Sequence, residues 1–372
     1  MHTCVLFVDD EPLILGLYEA LSCDLGPNFT VQTAKDGRAA LDSLEKTRAQ
    51  IVVSDLEMPQ MTGGELLTHV ERKYPEAMRV VISGYDDELH VARCLTFGHR
   101  YLKKPVEPES LANTLQRLAA LQQSLADEPL KELLARPDAL PSPPETYLRL
   151  SESLQSEGSG SADFAEIISD DPLLSDKLLS IANSPEFGLS VEIETLGELF
   201  DVLGVHVIRA LILGLHAKDF YSARTAQLQQ IDDLWKHSLQ AASFARKLAS
   251  ADRQKFRDCQ TAYVAGLLHD IGRFILSAHG KCDETAVAKH HAAIGAYLLG
   301  VWGLPEPIVS TAELHHSLHL VTSHSFYPIL YVHAGENLGF PDRSEQLDLE
   351  FLARTGKADR VPAWKEVLQK LN

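Results

Sequence analysis

Short apolar runs rich in β-branched residues alternate with helix-period segments through the first 123 residues of this chain. The predicted strands cover residues 5–8, 29–33, 51–54, 79–83 and 100–104. The segments between them predict helices that begin near Pro12, Gly37, Gly63, Asp87 and Glu107. Strands that are apolar on both faces and separated by helices are typical of a parallel sheet covered on both sides. The first third of the chain is therefore predicted to be an α/β domain with five strand–helix units.

Polar residues stand where these strands end: Asp9 and Asp10, Asp55, Ser83 and Lys104. Ligand sites of open parallel sheets form outside the carboxyl ends of the strands. Carboxylates drawn together there repel one another unless a cation joins them, and Mg²⁺ prefers such oxygen ligands. A carboxylate beside Mg²⁺ and a lysine, with a hydroxyl nearby, can attack phosphorus and form an acyl phosphate.

Together these residues resemble the receiver domain of two-component response regulators. The resemblance implies a flavodoxin-like (βα)5 fold with a five-stranded parallel sheet, Mg²⁺ as cofactor and a sensor histidine kinase as partner. The resemblance also assigns Asp9 and Asp10 as the metal-binding pair and Asp55 as the phosphoacceptor, which is itself a metal ligand. It assigns Ser83 as the switch hydroxyl and Lys104 as the invariant lysine. By the same resemblance, Glu57 offers its backbone carbonyl to the metal and Tyr101 is the switch aromatic.

The rest of the chain is predicted to be all-α. From about Tyr147 onward, apolar residues recur at spacings of three and four, and long strand-like alternation is absent. Four prolines within residues 137–145 cannot continue a helix and mark a domain entrance. We therefore expect a receiver over residues 1–123, a linker helix and Pro-rich connection over 124–144, a helical output domain over 145–340, and a tail over 341–372 that is helical at its end.

A leucine series follows the fifth strand, formed by Leu111, Leu115, Leu118 and Leu125. The spacing is close to that of a heptad seam. One interpretation is an amphipathic helix that packs on its own sheet. The other is that the far end of the helix pairs with a second chain, as in a homodimer, or docks on the next domain.

Histidines and carboxylates are concentrated in helix-period segments of the second half. The candidates are His237, His269, Asp270, His291, His315 and Glu336. Imidazoles and carboxylates from several helices can hold one or two divalent transition-metal or Mg²⁺-like ions, and two such ions can activate water for phosphoester hydrolysis. The sequence alone therefore permits a metal-dependent phosphohydrolase.

This half is similar to the HDOD family, the HD-related output domain of the HD superfamily. The matching segments, in the family's order, are DPLLSDKLLSIANSPEFG, LGVHVIRALIL, LWKHS, AGLLHDIGRFIL, HHAAIGAYLLGVWGLPEPI and ELHH. Relatives with the HD-GYP signature cut cyclic dinucleotides, but here Arg273 replaces the lysine after HDIG and no GYP follows His315 and His316.

The resemblance to the HDOD family implies a module that acts by protein interaction. We expect its polar residues to form a buried hydrogen-bonded network. Metal binding without turnover and a receiver-gated phosphodiesterase are the alternatives.

The charge of the chain argues against nucleic acid as its main partner. Formal net charge is −18, and the part after residue 122 carries 34 acidic against 22 basic residues, so a DNA-binding regulator has little support.

Five scattered cysteines without a C-x-x-C pair argue against a disulfide framework. No apolar stretch is long enough to span a membrane. The sequence therefore predicts a cytoplasmic response regulator that is phosphorylated on Asp55 and signals to a downstream protein through its HDOD domain.

Overall fold

The computed structural model describes most of the chain and divides it into two compact units, the first ending at Pro143 and the second beginning at Pro144. The described residues are 2–74, 77–84, 100–124, 140–141, 143–154, 160–189, 191–279, 284–302, 304–321, 328–340 and 347–369.

The first unit contains a five-stranded parallel sheet. Its strands are β1 Thr3–Val8, β2 Phe29–Ala34, β3 Ile51–Asp55, β4 Met78–Ser83 and β5 Arg100–Lys103. Their spatial order is β2-β1-β3-β4-β5, with all neighbours parallel. β1, β3 and β4 are almost wholly buried because their residues are apolar on both faces, as a sheet covered on both sides requires. The predicted α/β fold is confirmed.

Five described helices accompany this sheet. They are α1 Pro12–Ala20, α2 Ser22–Leu25, α3 Gly37–Lys46, α4 Gly63–Lys73 and α5 Pro108–Ser124. Side-chain caps fix two of the helix starts: Asp36 accepts from the Ala39 amide before α3, and Thr62 forms a capping box with Glu65 at α4. The helix predicted near Asp87 lies outside the described residues.

The leucine series after β5 lies in α5. Leu111, Leu115 and Leu118 are 3%, 0% and 2% exposed, and the side chain of Gln116 donates to the carbonyl oxygen of Asp24 in α2. This burial and the contact with α2 favour the interpretation in which the helix packs on its own sheet. Leu125, at the far end of the series, lies outside the described residues.

Every regular element described in the second unit is helical, which confirms the predicted all-α class. These elements are α6 Glu145–Ser153, α7 Ser161–Ser169, α8 Pro172–Ala182, α9 Leu196–Leu203, α10 Val205–Ser222, α11 Leu228–Ala251, α12 Phe256–Leu268, α13 Ile271–His279, α14 Glu284–Val301, α15 Glu306–Leu314, α16 Pro328–Gly339, α17 Leu349–Arg354, α18 Val361–Gln369, and the 3-10 turns Leu318–Leu320 and Ala358–Arg360. Within the described residues, no single helix has the length and hydropathy of a membrane span, although α9 and α10, bent by 110°, pass that test jointly.

Close packing of α11 and α12 positions the polar residues of the second unit. A Cβ on Gly266 would lie 2.8 Å from the Cα of Ala242, so only glycine allows this approach. Ala241, Ala242 and Ala245 are fully buried on the facing side of α11. Small residues at a helix contact shorten the distance between the two axes. His237 on α11 and His269 at the end of α12 are thereby brought together.

Asp252 joins the C-terminal helix to the body of the second unit. Its side chain is 1% exposed and accepts hydrogen bonds from Lys357 Nζ at 2.7 Å, Arg360 Nε at 2.7 Å and Trp364 Nε1 at 3.1 Å. Burial alone would raise the pKa of Asp252, but these hydrogen bonds outweigh burial and hold the pKa below its ordinary value. Asp252 is therefore ionised in the folded protein at neutral pH.

We predict that Asp252→Ala lowers the free energy of unfolding of the second unit by roughly 3 kcal/mol, because it removes the central partner of a buried ionic cluster. Because the folded pKa lies below the unfolded value, this contribution is complete above about pH 4 and is lost as the pH falls through the folded pKa. Urea unfolding followed by tryptophan fluorescence at neutral and acidic pH measures both effects.

Asp219→Ala is the matched control, because Asp219 is a 52%-exposed carboxylate that pairs with Lys177 at 2.7 Å. Removing an exposed pair changes stability by less than about 1 kcal/mol. Equal losses for Asp219→Ala and Asp252→Ala would contradict the role given to the buried cluster.

Candidate functional site

An acidic notch with one lysine lies at the carboxyl end of the sheet in the first unit. The ammonium nitrogen of Lys104 is 3.0 Å from an oxygen of Asp9 and 3.0 Å from an oxygen of Asp55. Asp9 follows β1 and Asp55 ends β3, and these neighbouring strands stand where the strand order reverses. Carboxylate oxygens of Asp9, Asp10 and Asp55 lie within 4.8 Å of one another. The structure thus brings together four residues that the sequence placed at strand ends.

The negative charge of this notch exceeds what its lysine can neutralise. Burial raises the pKa of Asp55, and the hydrogen bond from Lys104 offsets only part of that rise. Burial opposes the charge of Lys104, but its hydrogen bonds to Asp55 and Asp9 raise its pKa overall. Among the described side chains, three carboxylates and one ammonium group leave two negative charges. Oxygen donors with surplus negative charge fit the ligand preference of Mg²⁺.

Backbone groups hold the two inner carboxylates in place. The Leu56 amide donates to Asp55 Oδ1 at 2.8 Å, and the Glu11 amide donates to Asp9 Oδ1 at 3.0 Å. Gly63 closes the loop after β3, where a Cβ would overlap the carbonyl oxygen of Asp55. The loop can follow this path only with glycine at position 63.

The remaining predicted residues of this site differ in how the structure places them. Ser83 is 1% exposed at the end of β4, and its carbonyl oxygen accepts from the Lys104 amide at 2.8 Å. Glu57 is exposed, and its side chain is not part of the acidic group. The backbone of Tyr101 pairs with Val81, but its side chain lies outside the described residues.

A second cluster forms at the inner ends of several helices in the second unit. Its members are His237 on α11, His269 and Asp270 after α12, His291 on α14, His315 after α15 and Glu336 on α16. The structure therefore brings all six predicted residues together, across about 100 residues of sequence.

Short distances join these side chains around Asp270. Its Oδ1 lies 3.3 Å from His291 Nε2 and 3.5 Å from His315 Nε2, and its Oδ2 lies 3.5 Å from His269 Nε2. His237 Nε2 is 3.1 Å from Glu336 Oε1. Even so, Asp270 Oδ1 and His237 Nε2 are buried without a hydrogen bond of good geometry to any described residue. Buried polar atoms are usually paired, so each of these atoms has room for a further partner.

The protonation of two of these imidazoles follows from the backbone. His269 Nδ1 is 2.8 Å from the Gly266 carbonyl oxygen, and His315 Nδ1 is 2.9 Å from that of Ala312. A carbonyl only accepts, so each Nδ1 carries the proton and each neutral ring presents its Nε2 lone pair. These lone pairs face Asp270, which is the orientation of histidine ligands around a metal ion.

Electrostatics favour a neutral His269 and an ionised Asp270. Burial lowers the pKa of His269. Burial would raise the pKa of Asp270, but its interactions with His269, His291, His315 and Arg273 hold it well below its ordinary value. Metal ligands must be in these forms, a neutral imidazole and an ionised carboxylate.

Sequence reasoning did not place His316 in this cluster. His316 Nε2 lies 3.2 Å from His291 Nε2, and with His315 the three rings form a group with ligand spacing. Burial, and then the charges of His315 and His291, lower the pKa of His316 to about 3. The adjacent pair His315 and His316 was the available signal. Arg273 also contacts the cluster, with Nε 3.0 Å from Asp270 Oδ2.

A cavity of about 260 Å³ opens beside the histidines. It is lined by His315, His316, Leu318, His319, Val332, His333, Glu336, Asn337 and Asp348. A small ligand in this cavity would therefore contact three members of the cluster directly.

Comparison with known families matches both units. Residues 5–116 match the model of the response regulator receiver domain, residues 140–289 match the HDOD domain, and residues 234–352 match the HD domain. The range of the HD match includes all six residues predicted in the second cluster, together with His316.

Individual relatives resemble one part of the chain or the other. An uncharacterized protein of Treponema pallidum is 26% identical over 252 residues, which cover 62% of this chain and 46% of that protein. The hydrogenase transcriptional regulatory protein HoxA of Cupriavidus necator is 34% identical over 120 residues, 32% of this chain and 24% of HoxA. The chain thus spans less than half the length of these relatives.

A solved structure extends the similarity to the fold of the second unit. It is a putative metal-dependent phosphohydrolase of Shewanella amazonensis, 19% identical, with a TM-score of 0.50 over 70% of this chain and 99% of that one. At this identity the match concerns the fold alone.

We predict that Gly63→Ala destabilises the first unit by about 3 kcal/mol or more, because the added methyl group overlaps the Asp55 backbone and forces the loop to move. The measurement is urea unfolding of the first unit, followed by circular dichroism.

Gly16→Ala is the control for this substitution. A Cβ at Gly16 meets no atom within 4 Å, and the residue lies exposed within α1. Replacing a helical glycine there should stabilise the unit by about 0.5–1 kcal/mol. A neutral Gly63→Ala would refute the close approach.

Proposed function

Because the chain is a response regulator that joins a receiver domain to an HDOD domain, we propose that Asp55 accepts a phosphoryl group from a sensor histidine kinase or a small phosphodonor. The observation that carries this proposal is the placement of Lys104, whose ammonium group contacts both Asp9 and Asp55 at 3.0 Å. Asp9, Asp10 and Asp55 would hold Mg²⁺, and when bound this ion neutralises charge on the phosphoryl oxygens.

In the proposed transfer, an oxygen of Asp55 attacks phosphorus in the kinase's phosphohistidine. An O–P bond forms, the P–N bond breaks, and the released imidazole takes up a proton. The amide of Leu56 keeps Asp55 oriented. The ammonium group of Lys104 pairs with the carboxylate of Asp55 before the transfer and with the phosphoryl oxygens after it. Ser83, which lies at the end of the adjacent strand β4, is the proposed hydroxyl donor to the phosphorylated form.

The output of this regulator is proposed to be a protein interaction made by the HDOD domain. Phosphorylation adds charge to the notch and biases the surface around β4 and β5. The acidic excess of the C-terminal part, 34 acidic against 22 basic residues after residue 122, supports a protein partner over DNA.

The expected result for Asp55→Asn is complete loss of labelling by acetyl phosphate or kinase, because the nucleophilic carboxylate is gone. Lys104→Met should slow labelling at least tenfold, since about 1.4 kcal/mol of lost charge stabilisation corresponds to that factor. Intact-protein mass spectrometry detects the added phosphoryl group.

Asp42→Asn serves as a control for lost negative charge, because Asp42 is an exposed residue of α3 outside the notch. It should be labelled at the wild-type rate. Labelling of Asp55→Asn to the wild-type level would exclude Asp55 as the acceptor.

A second candidate function concerns the histidine cluster, which we propose binds a divalent transition metal. The supporting observation is that the Nε2 lone pairs of His269 and His315 face the ionised Asp270, an arrangement of acceptors that needs a cation. His237, His291 and Glu336 complete the proposed ligand set. When bound, such a metal activates water, which would make phosphoester hydrolysis in the adjacent cavity the corresponding activity.

Metal analysis of the purified chain by mass spectrometry tests this candidate. We expect at least one bound Mn, Fe, Ni or Zn ion, retained in Asp55→Asn and lost in His269→Ala. Thermal unfolding should show a matching loss of stabilisation by added metal in His269→Ala. His2→Ala is the control, because His2 is exposed and bonds only Thr30 among the described residues. A chain that stays metal-free after incubation with these ions would remove this candidate.

A further inference from the structure

Two neighbouring cations of α11 have no anionic partner among the described residues. Several other cations of the second unit pair with carboxylates, as Lys218 does with Asp232 at 2.7 Å. Arg246 and Lys247 form no ion pair with any residue in the described ranges. Both are partly buried, in a chain with a net charge of −18. Uncompensated charges that have lost part of their hydration are costly, and an external anion would offset that cost.

Aromatic rings orient the guanidinium group of Arg246. Its Cζ lies 5.4 Å from the ring centre of Phe187 and 5.3 Å from that of Tyr263. The two rings are themselves 5.1 Å apart. Cation–π contacts use the flat faces of a guanidinium group and leave its N–H edges available for an acceptor. In addition, the fully buried hydroxyl of Tyr263 has no hydrogen-bond partner among the described residues.

The turn after α8 lies against both cations. Ser243 Oγ donates to the Phe187 carbonyl oxygen at 3.0 Å and anchors the turn to α11. Gly188 has a φ of +67°, and a Cβ there would lie 2.7 Å from Lys247 Nζ. The backbone conformation favours glycine here, and the Lys247 ammonium group occupies the space beside it.

The two positive charges act on one another. Burial lowers the pKa of Arg246, and burial together with the charge of Arg246 lowers the pKa of Lys247. An anion between them would reverse both effects. A phosphoryl group is the best match, because it carries close to two negative charges and three acceptor oxygens, enough for an arginine fork and a lysine.

We propose that Arg246, Lys247 and the turn at Phe187 and Gly188 form a binding site for a phosphoryl group. The site is separate from the histidine cluster: nine residues divide His237 from Arg246 on α11, which places them on opposite faces of the helix. The proposal depends on neither phosphorylation of Asp55 nor metal binding.

Isothermal titration of the full chain with inorganic phosphate tests the proposal. The chain should carry Asp55→Asn, and EDTA should be present, so that neither of the other sites contributes. We expect one saturable site. Tighter binding of adenosine monophosphate than of inorganic phosphate would identify a phosphomonoester as the ligand, and equal binding would identify free phosphate. Absence of binding by both probes, or equal binding of acetate, would overturn the proposal.

Substitutions locate the site. Arg246→Met and Lys247→Met should each weaken phosphate binding at least tenfold, as expected for the loss of one charge-assisted hydrogen bond. Lys255→Met, which removes an exposed cation of the same unit, should bind as the parent chain does.

Thermal unfolding distinguishes the loss of the binding site from a general loss of stability. Without phosphate, Lys247→Met should unfold at a higher temperature than the parent, because it relieves repulsion with Arg246. With phosphate, it should lose the rise in unfolding temperature that the parent shows. If Arg246→Met does not fold, Lys247→Met alone decides, and unchanged phosphate binding in that variant refutes the site.

Discussion

The ammonium group of Lys104, placed between the carboxylates of Asp9 and Asp55, is the contact on which the proposed chemistry of the first unit depends. The strand order places Asp9 and Asp55 at neighbouring strand ends, so the fold itself creates the repulsion that this lysine relieves in part. The remaining negative charge of the described side chains favours a bound cation, as proposed for the notch. One arrangement thus accounts for the proposed metal requirement and for the proposed nucleophile.

The second unit also gathers groups that can bind a cation, here imidazoles together with carboxylates. Neutral imidazoles and an ionised Asp270 converge there, and the carbonyl groups of Gly266 and Ala312 fix the lone pairs of two rings toward the centre. Asp270 Oδ1 and His237 Nε2 are buried there without a hydrogen bond to any described residue, which is compatible with a cation bound among them. The polar network expected from the sequence and the proposed metal site use the same residues, and metal analysis separates the two.

The residues at the strand ends could be predicted to meet, because a parallel sheet brings its carboxyl ends together for any loop conformation. The positions of Asp55 and Lys104 in the site followed from this rule alone. The histidine cluster could be predicted from family-like segments, but ring orientation could not, since it depends on carbonyl groups of a neighbouring turn. The sequence did not assign His316 to the cluster, because its neighbour His315 already occupied the matching position of the superfamily's ligand pattern. The Asp252 cluster and the Arg246 site join residues far apart in sequence, and no local spacing signals such contacts.

The Mg²⁺ dependence of acyl phosphate formation is the most direct measurement of the central claim. The full chain would be treated with acetyl phosphate over a range of Mg²⁺ concentrations, and labelling at Asp55 would be followed by mass spectrometry. If surplus charge beside Lys104 makes the notch a cation site, the labelling rate rises with Mg²⁺ to a plateau and falls to background in EDTA. Labelling of Asp55 at an equal rate in EDTA would contradict the account.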